Sequence, residues 1–307
     1  MEQIIFTQEA GSFAVPDHIF RVGIGMGGPT VIAFGTEDQK RRWLRPLLTG
    51  EEIWCQLFSE PGAGSDLAGL STSAVRDGNE WIVNGQKVWS SGAHYSQWGL
   101  LLARTDPGVP KHKGITYFML DMSLPGIDVR PLRQMTGGAH FNEVFFTDVR
   151  VPDSDRLGDV NDGWGVAQTT LLNERAAIVE LLGDRNASEP LVALAAGTDD
   201  ARLRQQIAQV HIESAIMRYL GLRIVTAFAQ GRLPGPEASV AKLAMGTLMK
   251  RASELALTLR GPESMLDDAT WVGSFLAAPA IRIAGGSDEV QRNIIGERVL
   301  GLPKEPK

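Results

Sequence analysis

A chain of 307 residues, 43% hydrophobic and 21% charged, has the composition of an ordinary globular protein long enough for more than one compact unit. Its net charge of −6 argues against nucleic acid as a main partner. The single cysteine, Cys55, cannot close an internal disulfide, and neither a signal peptide nor an apolar run long enough for a bilayer is visible. The expectation is a cytoplasmic protein with no nucleic-acid or membrane partner.

Residues 1–52 read as helical. Thr36 followed by Glu37 and Asp38 is a capped helix start with acids in its first turn. Upstream, Gly23-Ile-Gly-Met-Gly-Gly28 fits the G-x-G-x-x-G pattern of a nucleotide-binding βαβ unit. Only Ile19-Phe-Arg-Val precedes it, Pro29 and Thr30 follow at once, and no second parallel strand appears. Small residues that let helices pack closely are the preferred reading.

Residues 53–158 change texture. Trp81-Ile-Val, Gly99-Leu-Leu-Leu-Ala, Ile115-Thr-Tyr-Phe-Met-Leu and Glu143-Val-Phe-Phe are short β-rich runs. Turn chemistry separates them at Asp77-Gly-Asn, Asp106-Pro-Gly and Leu124-Pro-Gly-Ile, which predicts a compact antiparallel β domain. From 159 to 307 the pattern is helical again, with three- and four-residue apolar spacing over 164–183, 199–231, 236–260 and 287–300. Gly231-Arg-Leu-Pro-Gly-Pro-Glu237 reads as a helix–helix connection, and four such helices pack as an antiparallel bundle. The fold class expected is α+β and multidomain: an N-terminal helical segment, a central antiparallel β domain and a C-terminal four-helix bundle.

The segment Gln56-Leu-Phe-Ser-Glu-Pro-Gly-Ala-Gly-Ser-Asp66 places a hydroxyl, an acid and a proline before a glycine-rich bend. Gly62 and Gly64 let a backbone approach a phosphate, and Ser59 offers a hydroxyl to a heteroaromatic edge. Taken alone it reads equally as a turn between strands. Trp89-Ser-Ser-Gly92 adds an indole and hydroxyls at a strand end, and the pairing suits a flat, hydrogen-bonding ring tethered to a diphosphate. A third segment, Ile283-Ala-Gly-Gly-Ser-Asp-Glu-Val-Gln-Arg292, has Ser287 as N-cap and Asp288 and Glu289 in the first turn. Its N–H groups are placed to polarise an oxygen, or the segment is a well-capped helix and nothing more. The five histidines are scattered without ligand spacing, so no metal site is expected.

Together these strings resemble the flavin-binding signature of the acyl-CoA dehydrogenase family, from about Gly25 to the C-terminus. The resemblance implies FAD as cofactor, with Gln56, Phe58, Ser59, Gly64, Ser65, Trp89, Ser90, Ser91, Gly286, Ser287 and Glu289 around it. In that family the matching tryptophan packs on the flavin and the matching hydroxyl bonds the ring near its redox-active nitrogen. Ser65, Arg175 and Gly285 are the implied substrate contacts. Many members carry the catalytic glutamate where Gly285 stands here. A subgroup similar to isovaleryl- and long-chain acyl-CoA dehydrogenases carries it on an earlier helix, matched by Leu171-Leu-Asn-Glu-Arg175, so Glu174 is the implied base.

Helical geometry supports that choice independently. Ala167, Thr170, Leu171, Glu174, Ile178 and Leu181 share one face, so Glu174 is a carboxylate in an apolar stripe whose desolvation raises its pKa. Glu180, Asp288 and Glu289 are weaker candidates for a base, and a partly exposed Glu–Arg neighbour pair is the bland alternative for Glu174.

The implied activity is α,β-dehydrogenation of an acyl-CoA to the 2,3-enoyl-CoA, with an electron-transfer flavoprotein as acceptor. The resemblance also brings departures. The family has further helices before the equivalent of Met1, so the N-terminal segment is expected to be incomplete. An Arg-x-x-Phe-Gly segment that reaches a neighbour's flavin is missing from Gly183-Asp-Arg-Asn-Ala-Ser-Glu-Pro-Leu-Val-Ala-Leu194, and a later glutamine-glycine segment is altered to Thr258-Leu-Arg-Gly-Pro262. These gaps resemble actinobacterial members built from two different chains, which implies a homo- or hetero-oligomer with a paralogous subunit. The competing readings are a non-catalytic partner subunit and an oxygen-using oxidase or monooxygenase on the same scaffold.

Overall fold

The computed structural model describes residues 9, 13, 19–180, 187–230, 237–266 and 270–304, with the side chains of 175–180, 225, 228, 229 and 237 left undescribed. The expected connection at Gly231–Pro236 therefore lies outside the described residues. The chain falls into two compact units, one of residues 16–174 and one that takes up the chain again at Arg175.

The first unit opens with a π-helical turn, Gly23–Gly27, running into α1 (Gly28–Phe34). Glycine is required here by close approach. A Cβ on Gly23 would lie 2.3 Å from Leu47 Cδ1, and one on Gly27 would lie 2.5 Å from the Trp54 ring. The G-x-G-x-x-G string thus serves helix packing. Helix α2 (Glu37–Leu48) starts in a capping box: the Thr36 hydroxyl accepts from Gln39 N–H, and the Gln39 side chain accepts from Thr36 N–H. Its Trp43 and Leu47 turn inward.

Eight strands follow: β1 (Trp54–Leu57), β2 (Ser73–Asp77), β3 (Glu80–Lys87), β4 (Trp98–Arg104), β5 (Ile115–Asp121), β6 (Ile127–Leu132), β7 (Phe141–Pro152) and β8 (Arg156–Leu157). They form one sheet in the order β6-β7-β3-β2-β4-β5-β8, with β1 beside β4. Most pairings are antiparallel, but β1–β4 and β2–β4 are parallel, which the turn pattern did not predict. The β2–β3 hairpin and the chain after it form a crossover that brings β4 back in the direction of β1.

The apolar runs of β4 and β5 are continuous because both of their faces are covered. Leu100, Leu102, Tyr117 and Met119 join the core with Trp43, Leu47 and Trp54 of the helical side. Leu101, Ala103, Phe118 and Leu120 pack with Trp81, Val83, Val144 and Phe146 of β3 and β7. Each large side chain so buried contributes about 1.5–3 kcal/mol. Helix α3 (Gly163–Glu180) begins on the same core. A Cβ on Gly163 would lie 2.6 Å from Thr116 and Tyr117 main-chain atoms, so only glycine lets the helix start against β5.

The second unit contains α4 (Glu189–Leu194), α5 (Ala201–Ala229), α6 (Glu237–Arg260), α7 (Trp271–Ile281) and α8 (Asp288–Ile294). Helix α6 is its centre, packed by all four others. Ala241, Met245, Leu248, Ala252 and Leu255 face Val210, Met217 and Ile224 of α5. Helices α4 and α7 are additions to the expected four. Helix α7 is apolar apart from Ser274 and holds Gly273 and Pro279, so it carries no periodic signal. No described helix is long and apolar enough to cross a membrane.

Candidate functional site

Strand β1 ends in the bend predicted to cradle a cofactor. Gln56 is half-buried, Ser59 is partly exposed, and Gly64 and Ser65 are exposed. Phe58 is 4% exposed and sets its ring edge-on against Tyr117 at 5.8 Å, so its side chain is part of the core. A Cβ on Gly62 or Gly64 would meet nothing within 4 Å, and neither has positive φ. The protein's own packing therefore does not require glycine at either place.

The second predicted segment leaves β3 beside this bend. Trp89 takes a left-handed backbone conformation, φ 63°, and its indole is 60% exposed, braced edge-on by Phe141 at 5.9 Å. Ser91 is exposed; Ser90 is buried, and its hydroxyl has no hydrogen-bond partner among the described residues. Nor does any described residue take the hydroxyls of Ser59, Ser65 or Ser91. Asn142 pins the loop: it exchanges two main-chain hydrogen bonds with Ser90 at 3.1 Å, and its side-chain amide donates to the Ser90 carbonyl at 2.8 Å. Gly92 N–H donates to the His140 carbonyl at 2.8 Å.

The two segments lie side by side. Val88 N–H donates to the Ser59 carbonyl at 2.9 Å. Beneath them Lys87, fully buried, donates to Glu60 at 2.8 Å and to the Phe58 carbonyl at 3.0 Å. Glu60 also accepts from Ser71 N–H, the Ser71 hydroxyl and Thr72 N–H at 2.7, 2.8 and 2.9 Å. Burial alone raises a carboxyl's pKa, but the Lys87 ammonium and these donors outweigh it and hold Glu60 well below the usual carboxylate range.

On α3, Val166, Ala167 and Thr170 are fully buried and Leu171 packs on the core, with Glu174 half-buried one turn beyond Thr170. Thr170 joins a buried hydroxyl chain, 2.9 Å from Thr30 and 3.2 Å from the Tyr117 hydroxyl, that ties α1, β5 and α3 together. Arg175, Ile178 and Glu180 have undescribed side chains, and Leu181 lies outside the described residues.

In the second unit the turn before α8 has positive φ at Gly285, 65°, and Gly286, 92°. Gln291 donates to both their carbonyls at 2.9 and 3.1 Å, and the fully buried Lys242 donates to the Gly286 carbonyl at 2.7 Å. Ser287 caps α8 by accepting from Val290 N–H. Asp288 is buried against Arg282, and Glu289 is exposed. The α8 main-chain hydrogen bonds and the Ser287 hydroxyl lower the Glu289 pKa.

Glu60, Lys87, Phe141 and Asn142 were not among the predicted site residues, yet they hold the bend and the loop. Their signal was phase: Lys87 falls on the buried side of β3 with Trp81 and Val83, and Asn142 on the buried side of β7 with Val144 and Phe146.

The chain is thus mixed α/β, with a β unit that carries an exposed indole beside a glycine-rich bend, and a helical unit. The family models described as acyl-CoA dehydrogenase N-terminal, middle and C-terminal domains match residues 1–51, 55–149 and 161–300. The chain belongs to the acyl-CoA dehydrogenase family. It is 40% identical to acyl-CoA dehydrogenase FadE34 of Mycobacterium tuberculosis, over 99% of this chain and 42% of that one. It is also 40% identical to acyl-CoA dehydrogenase IpdE1 of the same organism, over 99% of this chain and 81% of the relative. Among solved structures it is similar to the Tcur3481-Tcur3483 steroid ACAD G363A variant, with TM-score 0.89, 29% identity and coverage of 99% and 82%. The ChsE4-ChsE5 complex from Mycobacterium tuberculosis matches with TM-score 0.87, 31% identity and the same coverage.

Proposed function

We propose that this chain provides the flavin platform and the catalytic base of a FAD-dependent acyl-CoA dehydrogenase. The observation that carries the proposal is the adjacency of the Ser59 bend and the exposed Trp89–Ser91 loop, with hydroxyls that no described protein group engages. The residues fit the cofactor. Trp89 offers a ring face, Ser59 and Ser91 offer hydroxyls to its heteroatoms, and Gly62 and Gly64 leave room for a diphosphate. Gln56, the Phe58 main chain, Gly64, Ser65 and Ser90 complete this platform.

Glu174 takes the α-proton of the thioester, whose carbonyl makes that carbon acidic. The main-chain N–H of Gly285 holds the carbonyl oxygen as charge develops on it, and Ser65 and Arg175 bind the rest of the substrate. Bound FAD supplies the acceptor for the β-hydrogen, taken as hydride, and the product is the 2,3-enoyl-CoA. An electron-transfer flavoprotein is the proposed electron acceptor. The likeness to a steroid ACAD and to the ChsE4-ChsE5 complex supports a bulky acyl group and a paralogous partner subunit. In that assembly the partner supplies the arginine of the Arg-x-x-Phe-Gly segment that residues 183–194 lack.

Exchange of the acyl-CoA α-hydrogen with D2O tests the base apart from electron transfer. The holoprotein is expected to exchange it and Glu174→Gln to lose the exchange; equal exchange in both would remove Glu174 from this role.

A further inference from the structure

Lys87 and Glu60 take no part in the chemistry above, yet they form an ion pair with side chains 0% and 4% exposed. We propose that this pair is a positioning device that sets the spacing between the Ser59 bend and the Trp89–Ser91 loop, the two segments that face the flavin ring. The inference rests on the flavin reading given above.

The geometry is specific to that task. Phe58 and Glu60 flank Ser59, and Lys87 reaches both, at 3.0 and 2.8 Å. Lys87 stands two residues before Trp89, and Val88 between them donates to the Ser59 carbonyl. Ser59 and Trp89 therefore cannot shift independently while the pair holds. On its other side Glu60 is fixed to the start of β2 through Ser71 and Thr72. The lock thus has three walls: the end of β1, the end of β3 and the entry to β2.

Stability is a poor reason for such a pair. Desolvating two charges offsets most of their attraction, and apolar side chains of similar volume would serve as well. What an apolar pair would lack is direction, since an ammonium and a carboxylate accept only a narrow set of distances and angles. Two charged groups face Lys87: Glu60 in contact and Arg104 at longer range. The Arg104 guanidinium is taken by the carbonyls of Ala68, Leu70 and Lys111. Burial favours the neutral amine of Lys87, and the Glu60 carboxylate opposes it. Without that carboxylate the lysine sheds its proton more readily, and the directional contact is lost.

The test uses the purified full chain with its flavin and any co-purified partner. FAD affinity and the visible flavin band are measured from pH 6 to pH 9 for the native protein and Glu60→Gln. The native affinity is expected to weaken toward pH 9, because burial brings the Lys87 pKa down to about 8 and the pair opens as the lysine loses its proton. Glu60→Gln is expected to bind FAD roughly tenfold more weakly at pH 6 and to lose that pH dependence, since the ion pair is absent throughout. Affinity and band unchanged at every pH, with only thermal stability reduced, would overturn the proposal and leave a structural pair. Should Glu60→Gln fold poorly, Ser71→Ala removes a single donor and is expected to weaken binding about threefold; no change there would overturn the proposal equally.

Amide hydrogen exchange separates this inference from the function it rests on, because it needs no flavin. Segments 56–62 and 87–92 are expected to exchange faster together in Glu60→Gln. Unchanged protection overturns the positioning role. A native chain that binds no flavin in any assembly would instead defeat the flavin reading, while the exchange result still decides whether the pair locks the two segments.

Discussion

Glu174 sits one helical turn beyond the fully buried Thr170 and next to Leu171, which packs on the core, so its carboxylate is carried by a rigid stretch of α3. Glu174→Gln is expected to lower turnover by about 10²–10⁴-fold with the flavin still bound, measured by steady-state rate and absorbance. At Glu60 the prediction concerns pH. Its folded pKa is depressed to about 2, so the stability it contributes is complete above the usual carboxylate range and is lost progressively as pH falls from that range through the folded value. Denaturant midpoints between pH 7 and pH 3 should therefore drop further for the native protein than for Glu60→Gln; parallel curves would contradict the assignment. Lys87→Met should cost about 3–5 kcal/mol by leaving a buried carboxylate uncompensated, and adding Glu60→Gln should return part of that loss. Cys55 is fully buried and its pKa is pushed up to about 12 by desolvation, so thiol reagents should label it only after unfolding. At this scale the exposed half of the candidate site, Ser59, Trp89 and Ser91, could be singled out because it belongs to a string with chemical meaning. The buried half was not read. Lys87 and Asn142 look like surface residues until the strand phase that buries them is known.

The elements divide the same way. The capping box at Thr36 and the runs that became β3, β4, β5 and β7 could be read because each carries its own local signal. Strands β1, β2, β6 and β8 are short or polar, and only their partners make them strands, as Trp54–Leu57 against Trp98–Leu101 illustrates. The parallel pairings follow from the path of the crossover, which no local pattern encodes. Helix α7 was missed because a stretch that is apolar apart from Ser274, with an internal glycine and proline, offers no face to recognise. Thr36→Ala should cost about 1 kcal/mol through loss of the cap, read from the denaturation midpoint. Gly163→Ala should cost about 3 kcal/mol, because its Cβ would press on the main chain of β5 where no side chain can yield. A neutral Gly163→Ala would mean that α3 does not start against that strand.

For the whole molecule, the family is carried by strings spread along the sequence, and the family models match residues 1–51, 55–149 and 161–300. The chain spans 42% of FadE34 and 81% of IpdE1. Co-expression with a paralogous chain, followed by size-exclusion chromatography, should place flavin in a mixed oligomer; a flavin-replete homomer of this chain alone would contradict the partner proposal. The central claim is the flavin-dependent oxidation of a thioester, and an anaerobic acyl-CoA titration followed by visible absorption tests it most directly. Bound flavin that bleaches stoichiometrically with a bulky acyl-CoA, and does not bleach in Glu174→Gln, is the predicted result. A flavin that stays oxidised with every thioester in the complete assembly, or a complete assembly without flavin, would contradict it.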